Sequence, residues 1–598
     1  IIAIDFGTTY SGYAFNKEIE PRLKYWGVEV GLETPKAPTC ILFDGQEQFT
    51  SFGYKAKESY ISKKSEKAKE MFFFDCFKMS LYSKKFNRDL QIKAANGKSM
   101  KALKVFTEAL RFLKDDALKT ISDITGKKFT VSEFTWVLTV PAIWDHSAKQ
   151  FMREAAMQAG IITEGTEDKL VIALEPEAAS IWCKKLPTDG FIAEHQKENK
   201  IAESPGTQYI VVDCGGTKSF TKMKQSFWTV VYMVHSYIQK VIDISHNEKT
   251  SSMCVSGGTI DITVHEILEG GAVKELNKAS GNDLGGQTVD RKFKEFLREI
   301  FTDGVWDEYE RNYPSEVQKM MYDFTLFKKQ DDDADIDCPF NLGTIAQKKK
   351  PMEDFFKGVQ GASWDDGSIV ISKQKLREFF TESLQGITQN LKEILTKGLK
   401  IEYILLVGGY AESQILQRHI KDEFIDDCQV LCPFRPQEVI MKGAVQFGRN
   451  PSVVASRKSA FTYGVAIMEK FDILKHKEEK KFTNDEGVWC EDVFMTLVIA
   501  DEDVGWDEVR TETLYPIEPD QKVVSFTFYH TEKTHVTYVD EEGVEEIGSF
   551  QVESPDTTLG TKRQIELKIK FGFTEMTARA TDKETGSTKA VKLNFMTK

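Results

Sequence analysis

The residues best suited to chemistry are acids at strand ends followed by glycines. Asp5-Phe6-Gly7-Thr8-Thr9 separates two β-rich runs, residues 1–4 and 10–15. A Gly-Thr turn after a strand presents backbone N–H groups that can wrap a phosphate, because glycine allows the backbone to come close. An Asp at that strand end suits Mg²⁺, which keeps most of its water and takes few carboxylates. No GxxxxGK[ST] is present, so this is not a P-loop. Taken alone, the turn also reads as an ordinary hairpin. A second turn, Asp213-Cys214-Gly215-Gly216, stops one glycine short. Its remainder stands downstream as Gly258-Thr259-Ile260-Asp261. Joined, the two pieces read strand, D-x-G-G-G-T-x-D, strand, a second phosphate hairpin with two carboxylates. A third turn, residues 281–286, ends in Gly285-Gly286. A fourth closes the strand-like run 400–407 with Gly408-Gly409. A strand ending in Gly-Gly before a helix lets a flat ligand lie on the backbone at the helix N-terminus.

Residues 217–257 split the second turn. They are Lys/Ser-rich at the flanks and aromatic in the middle. Either they loop out of the hairpin as an insertion, or they are a non-coding stretch retained in the gene model and absent from the working protein. The second reading is preferred, because an insertion there disturbs the spacing that fixes the N–H geometry.

The elements that must position these turns alternate. Residues 101–125 carry Leu103, Phe106, Leu110 and Leu113 at helical spacing. The β-branched run 134–140 stops at Pro141 and reads as a buried strand. A helix from Ser147 to Ala159 follows, ending at Gly160. Another strand, Leu170–Leu174, leads into Glu175-Pro176-Glu177 and a further helix. Strands and helices alternating over about 450 residues indicate an α/β architecture. From Phe461 onward short β-patterned runs with turn signals indicate a separate β-domain. His146 and His265 read as structural, and Phe72-Phe73-Phe74 as core or a lobe-packing surface. Cys214 has no basic neighbour in sequence to activate it.

The chain's 598 residues suggest about three to five compact units. Its 79 Lys and Arg against 92 Asp and Glu leave a net charge of −13. That argues against non-specific nucleic-acid binding, which needs a basic face. No apolar run reaches the ~18–20 residues of a membrane span. Nine scattered cysteines without a CxxC pair or zinc spacing read as free thiols in a reducing compartment, so a cytoplasmic location is expected. The sequence opens on Ile1, so the true start is expected upstream.

Together the turns resemble the actin-fold ATPases, and within them the 70-kDa heat-shock protein family. The resemblance rests on IDFGTTYSGYAF (4–15), LTVPAIWD (138–145), ALEPEAAS (173–180), the split DCGG…GTIDITV, NDLGGQTVD (282–290) and ILLVGGYAES (404–413). FKM at 77–79 and the LVGGYAES run resemble the divergent heat-shock 70 kDa protein 12 branch. The resemblance implies a two-lobed actin-like ATPase fold over 1–450: lobe I about 1–205, lobe II about 206–410, and a return to lobe I over about 411–450. A C-terminal β-sandwich-like domain without helical lid follows over 460–598 and resembles the family's substrate-binding domain.

The resemblance also implies roles. Asp5, Gly7, Thr8, Thr9 and Tyr10 form the first phosphate loop. Asp213, Gly215, Gly216, Gly258, Thr259 and Asp261 form the second. Asp5, Asp213 and Asp261 are the expected magnesium-organising acids. Lys78 helps position the γ-phosphate and the attacking water, and Glu175 with Pro141 couples phosphate sensing to domain movement. Gly285, Gly286, Gly408, Gly409 and Tyr410 line the cleft and adenosine, which Lys328 and Lys329 approach from the other lobe.

Three departures stand out. Glu412 replaces the arginine expected to stack on adenine, and Thr325 replaces an acidic adenosine contact. No apolar linker is evident in 450–457. The expected function is an ATP-binding, chaperone-like protein with slow Mg²⁺-dependent hydrolysis. Peptide or protein clients, and co-chaperone-like regulators, are the expected partners. A nucleotide-dependent adaptor with little ATPase activity is the alternative, and an actin-fold small-molecule kinase a more distant one.

Overall fold

The structure, a computed structural model, describes all residues except 17–19, 63–66, 68–69, 83–87, 193–200, 217–257, 572–575 and 593–598. The expectation about 217–257 therefore lies outside the described residues.

Two sheets repeat one strand order. The first runs Leu170–Leu174, Trp136–Val140, Ile2–Phe6, Tyr10–Phe15, Arg22–Leu23, with Ala37–Pro38 also paired to Tyr10–Phe15. Its first three strands are parallel and the rest antiparallel. The second runs Gln429–Leu431, Ile401–Val407, Gln208–Cys214, Ile260–Ile267, Val273–Asn282, with the same pattern of directions. Its far edge is extended by Val454–Lys458 and Asp503–Gly505.

Helices occupy matching places in both halves. Ala102–Thr125 precedes the second strand of its sheet, as Lys373–Leu395 does in the other half. Val105, Phe106, Ala109, Leu110, Leu113, Ala117 and Ile121 are buried along the first of these, the i, i+3/i+4 stripe that drives an amphipathic helix onto a sheet. His146–Gln158 begins at Asp145, whose Oδ1 accepts the Ala148 N–H at 2.8 Å. Glu175–Cys183 and Val439–Arg449 pack on each other between the two sheets. Each half has its own aliphatic and aromatic core, and Phe72, Phe73 and Phe74 are core residues of the first half.

Beyond residue 460 a five-stranded and a four-stranded antiparallel sheet enclose one shared core that includes Val465, Phe526, Phe528, Leu567 and Ile569. The stretch from 450, where no apolar linker is evident, is built into the fold. It is not a loose connection: Val454–Lys458 is a strand of the second sheet, and Asp503–Gly505 from the C-terminal region pairs with it. His146 Nε2 lies 2.6 Å from the Tyr463 hydroxyl, a second tie between these regions. Among the described residues no helix is long and apolar enough to cross a membrane, and every described cysteine is a free thiol.

Candidate functional site

The first turn sits on a short antiparallel hairpin that pairs Asp5 with Gly12 and Phe6 with Ser11. Thr39 donates to the Gly7 carbonyl at 2.8 Å and shares a 2.7 Å bond with Ser11, which fixes the bend from below. Thr8 is buried, with its hydroxyl 3.7 Å from Met79 Sδ, and Tyr10 is buried. Asp5 is buried as well: Thr139 donates to Oδ1 at 3.0 Å, and the Lys36 ammonium lies 2.5 Å from Oδ2.

The second hairpin matches the first. Asp213 pairs with Asp261 and Cys214 with Ile260, and Gly215 N–H donates to the Thr259 carbonyl at 3.0 Å. Gly216 and Gly258, which flank residues 217–257, are neighbours: a Cβ on Gly258 would lie 3.4 Å from Gly216 Cα. The third turn closes on this one. Gly285 N–H donates to the Gly258 carbonyl at 2.6 Å and Gly286 N–H to the Gly215 carbonyl at 3.0 Å. A Cβ on Gly285 would stand 2.3 Å from the Gly258 oxygen, so only glycine fits. The fourth turn joins them at Gly408, with φ of 85°, where a Cβ would lie 2.2 Å from Asp213 Oδ1.

The two halves meet at these turns. Asp261 accepts the Ile143 N–H at 3.1 Å and also the Ala142 N–H, just past Pro141 in the first half. Gln287, next to Gly286, reaches Thr9 Oγ1 at 3.4 Å and Cys76 Sγ at 2.6 Å. Lys78, on the one-turn helix Phe77–Leu81, donates to Glu175 Oε1 at 2.6 Å with its ammonium 5.0 Å from the Trp144 ring centre. Asp5, Glu175, Asp213, Asp261, Lys36 and Lys78 thus form one buried cluster. Burial pushes the Asp213 carboxyl well above its usual range, and neighbouring Glu175, Asp261 and Asp5 push it further, while Lys36 opposes them. Burial likewise raises Glu175, which Lys78 holds down. Asp261 is pushed up to about 7 by burial, although the Ala142 N–H works against it.

The remaining expected residues lie around this centre. Lys328 is fully buried and donates to the Gly286 carbonyl at 2.9 Å and to Asp290 Oδ1 at 2.6 Å. Lys329 pairs with Glu412 at 2.6 Å, and Gln437 donates to the other Glu412 oxygen at 2.5 Å. Thr325 turns its hydroxyl back onto the Tyr322 carbonyl of its own helix at 2.6 Å. Gly409 follows Gly408, but the Tyr410 ring is buried in the second half's core beside Phe380, with ring centres 5.9 Å apart. His265 is buried and neutral, its imidazole lowered to about 3 by burial. Lys36, Gln287 and Trp144 went unread in the sequence. Lys36 in particular lies between Pro35 and Pro38, outside any glycine turn. Nothing in its immediate sequence marks it: the pre-proline restriction falls on Thr34 and Ala37, not on Lys36.

The glycine turns leave room for a phosphate chain near the backbone: glycines meet glycines where a Cβ would intrude. A protein-held Mg²⁺ fits less well. Both Asp261 oxygens accept backbone N–H groups, and both Asp5 oxygens are engaged by Thr139 and Lys36. Among the described residues no three His, Cys, Asp or Glu side chains converge as metal ligands.

Fold and site define a mixed α/β protein of two repeated halves that meet at a glycine-lined, acid-rich centre. Compared with known proteins, the whole chain aligns with heat shock 70 kDa protein 12A of Homo sapiens and of Mus musculus at 32% identity, covering 91% of each. It aligns over its whole length with heat shock 70 kDa protein 12B of Homo sapiens at 31%, again covering 91%. A chaperone protein dnaK of Cyanidium caldarium matches 34% of the chain at 24% identity, covering 31% of that protein. No family model matches. The chain belongs to the 70-kDa heat-shock protein family, in its divergent heat shock 70 kDa protein 12 branch.

Proposed function

We propose that the centre between the halves binds ATP and ADP as a two-lobed actin-like nucleotide site. The observation that carries this reading is that the turns of the second half are bonded to the first half around one buried acid cluster, by Gln287 of the third turn to Thr9 and by Asp261 of the second hairpin to Ala142 and Ile143. Membership of the 70-kDa heat-shock protein family supports it, and a match over 34% of the chain to a protein named chaperone protein dnaK supports a chaperone-like role. In this reading the N–H groups of Gly7, Thr8, Thr9, Gly216 and Gly258 hold the phosphates, while Gly215, whose N–H is bonded to the Thr259 carbonyl, lets the backbone approach them. Lys78 stabilises the charge that grows on the transferred phosphoryl group, and it is already aimed by Glu175. Asp213, whose carboxyl holds a proton more readily than usual, orients the attacking water, and Thr259 borders it. Lys328 steadies the third turn through the Gly286 carbonyl. Turnover is slow, because no side chain is poised as an arginine finger on the named turns. Closing and opening of the lobes passes to the C-terminal sheets, which bind an extended peptide or protein client at a strand edge.

A nucleotide-dependent adaptor is the second reading. It is favoured by the Lys329–Glu412 pair, which commits the residue at the adenine-stacking position to an internal ion pair. A single-turnover assay with radiolabelled ATP separates the two. Phosphate release by the wild type that is lost in Lys78→Ala supports the ATPase. ATP binding without release supports the adaptor. No binding overturns both.

A further inference from the structure

Lys36 is the residue of the central cluster that neither the sequence reading nor the family comparison assigns. Its backbone is fixed from several sides. Thr34 and Trp26 form a bridge, and the Thr34 hydroxyl lies 2.9 Å from both the Lys36 carbonyl and the Tyr54 hydroxyl. Immediately afterwards Ala37 and Pro38 pair with Ser11 and Tyr10 of the first hairpin. The lysine stem runs beside Gly12, where a Cβ would lie 3.1 Å from Lys36 Cγ. The chain bends at Pro35-Lys36 before the Ala37–Pro38 strand, and the ammonium is directed inward. There it meets Asp5 Oδ2 at 2.5 Å, with the side chain 8% exposed and that of Asp5 2%. The ammonium also acts electrostatically on Asp213 and Glu175, the carboxylates of the opposite hairpin and of the Lys78 pair.

A cation at this point does the work a divalent ion does in a phosphate site. It neutralises strand-end carboxylates that would otherwise repel a polyphosphate, and it offers donors to phosphate oxygens. An ammonium carries three N–H donors and no acceptor, and only one direction is taken by Asp5. A Mg²⁺ bound to that oxygen at 2.0–2.1 Å would put a second cation beside an ammonium that is already 2.5 Å from it.

We propose that Lys36 is a built-in counter-ion which takes the place of a divalent cation beside Asp5, so that this protein binds ATP and ADP without requiring Mg²⁺. The proposal rests on the nucleotide reading above, and its test separates the two. Mn²⁺ alone, followed by electron paramagnetic resonance on the full chain without nucleotide, probes the cation site independently of ATP. The wild type is expected to bind Mn²⁺ only weakly, and Lys36→Gln to bind it about tenfold more tightly or better, a gain lost again in Lys36→Gln/Asp5→Asn. Equal Mn²⁺ affinity in wild type and Lys36→Gln overturns the proposal, as does a tight site in the wild type. The wild type also provides an arm that does not depend on the variant folding. Its ATP and ADP affinities, measured by calorimetry, should change by less than about threefold between excess MgCl₂ and EDTA, whereas a loss beyond about tenfold in EDTA overturns the proposal. Absence of nucleotide binding in both buffers defeats the nucleotide reading itself and leaves the Mn²⁺ comparison to decide the role of Lys36.

Discussion

Arg457 forks onto Glu177: its Nε donates to Oε1 at 2.5 Å and its Nη2 to Oε2, with both side chains buried. Glu177 is two residues from Glu175, the partner of Lys78, on the same helix Glu175–Cys183. Arg457 lies on the strand Val454–Lys458, which carries the chain from the first 450 residues into the C-terminal sheets. The helix that carries the partner of Lys78 is thus also tied to the C-terminal region, two residues further on, by a bidentate ion pair, the geometry in which arginine outperforms lysine.

Breaking that pair from one side should loosen the junction. Arg457→Ala leaves the Glu177 carboxylate buried without its fork, at a cost of about 3–5 kcal/mol. Limited proteolysis should then cut near 450–460 in the variant and not in the wild type. The double variant Glu177→Gln/Arg457→Met should recover much of the lost stability. Equal protease resistance of Arg457→Ala and wild type would count against the coupling.

Lys78→Ala should act on stability as well as on nucleotide. It strands Glu175, whose carboxyl then takes up a proton, so the loss stays within about 3–5 kcal/mol. Adding Glu175→Gln should restore the melting temperature but not phosphate release. A double variant that melts as low as Lys78→Ala contradicts this account of the pair.

Glu275 gives the structure a pH signature. It is buried, accepts the Lys458 N–H at 2.9 Å, and is pushed up to about 8 by burial, with Glu177 adding to the rise. Its folded value is above the unfolded one of about 4.3, so the native state binds more protons between those limits and stability falls as pH rises through them. One group contributes up to about 1.4 kcal/mol per pH unit. Urea midpoints measured across that window should decline less steeply in Glu275→Gln than in the wild type, with the variant's advantage greatest at the alkaline end.

Gly408 is the most demanding of the four turns. Alanine there must adopt a φ of 85° and bring a Cβ 2.2 Å from Asp213 Oδ1. Strain of about 1–3 kcal/mol is expected together with a displaced Asp213, so Gly408→Ala should bind ATP more weakly by calorimetry. Unchanged affinity would remove Gly408 from the site.

Much of this arrangement was legible in the sequence because its cause is local. Glycines mark the four bends wherever the chain takes them, two of them led by an acid at a strand end, and the alternation of β-branched runs with helical stripes gave the α/β order. The stripe at Phe106, Leu110 and Leu113 lies on the helix it implied. What the sequence hid depends on distant partners. Lys36 is one lysine among many until Ala37 and Pro38 pair with the first hairpin and bring it beside Asp5. Arg457 sits where an apolar linker was sought, and its role depends on Glu177, which is far away in the chain. Tyr410 follows the Gly-Gly turn in sequence, yet the turn's geometry sends its ring into the core.

The central claim is that the two acid-tipped hairpins grip one nucleotide between them, and hydrogen exchange with mass spectrometry tests it most directly. Adding ATP to the full chain should slow exchange together in peptides covering Asp5–Tyr10, Gly258–Asp261 and Gly285–Gln287. Protection confined to one hairpin, or none at saturating ATP, would contradict it.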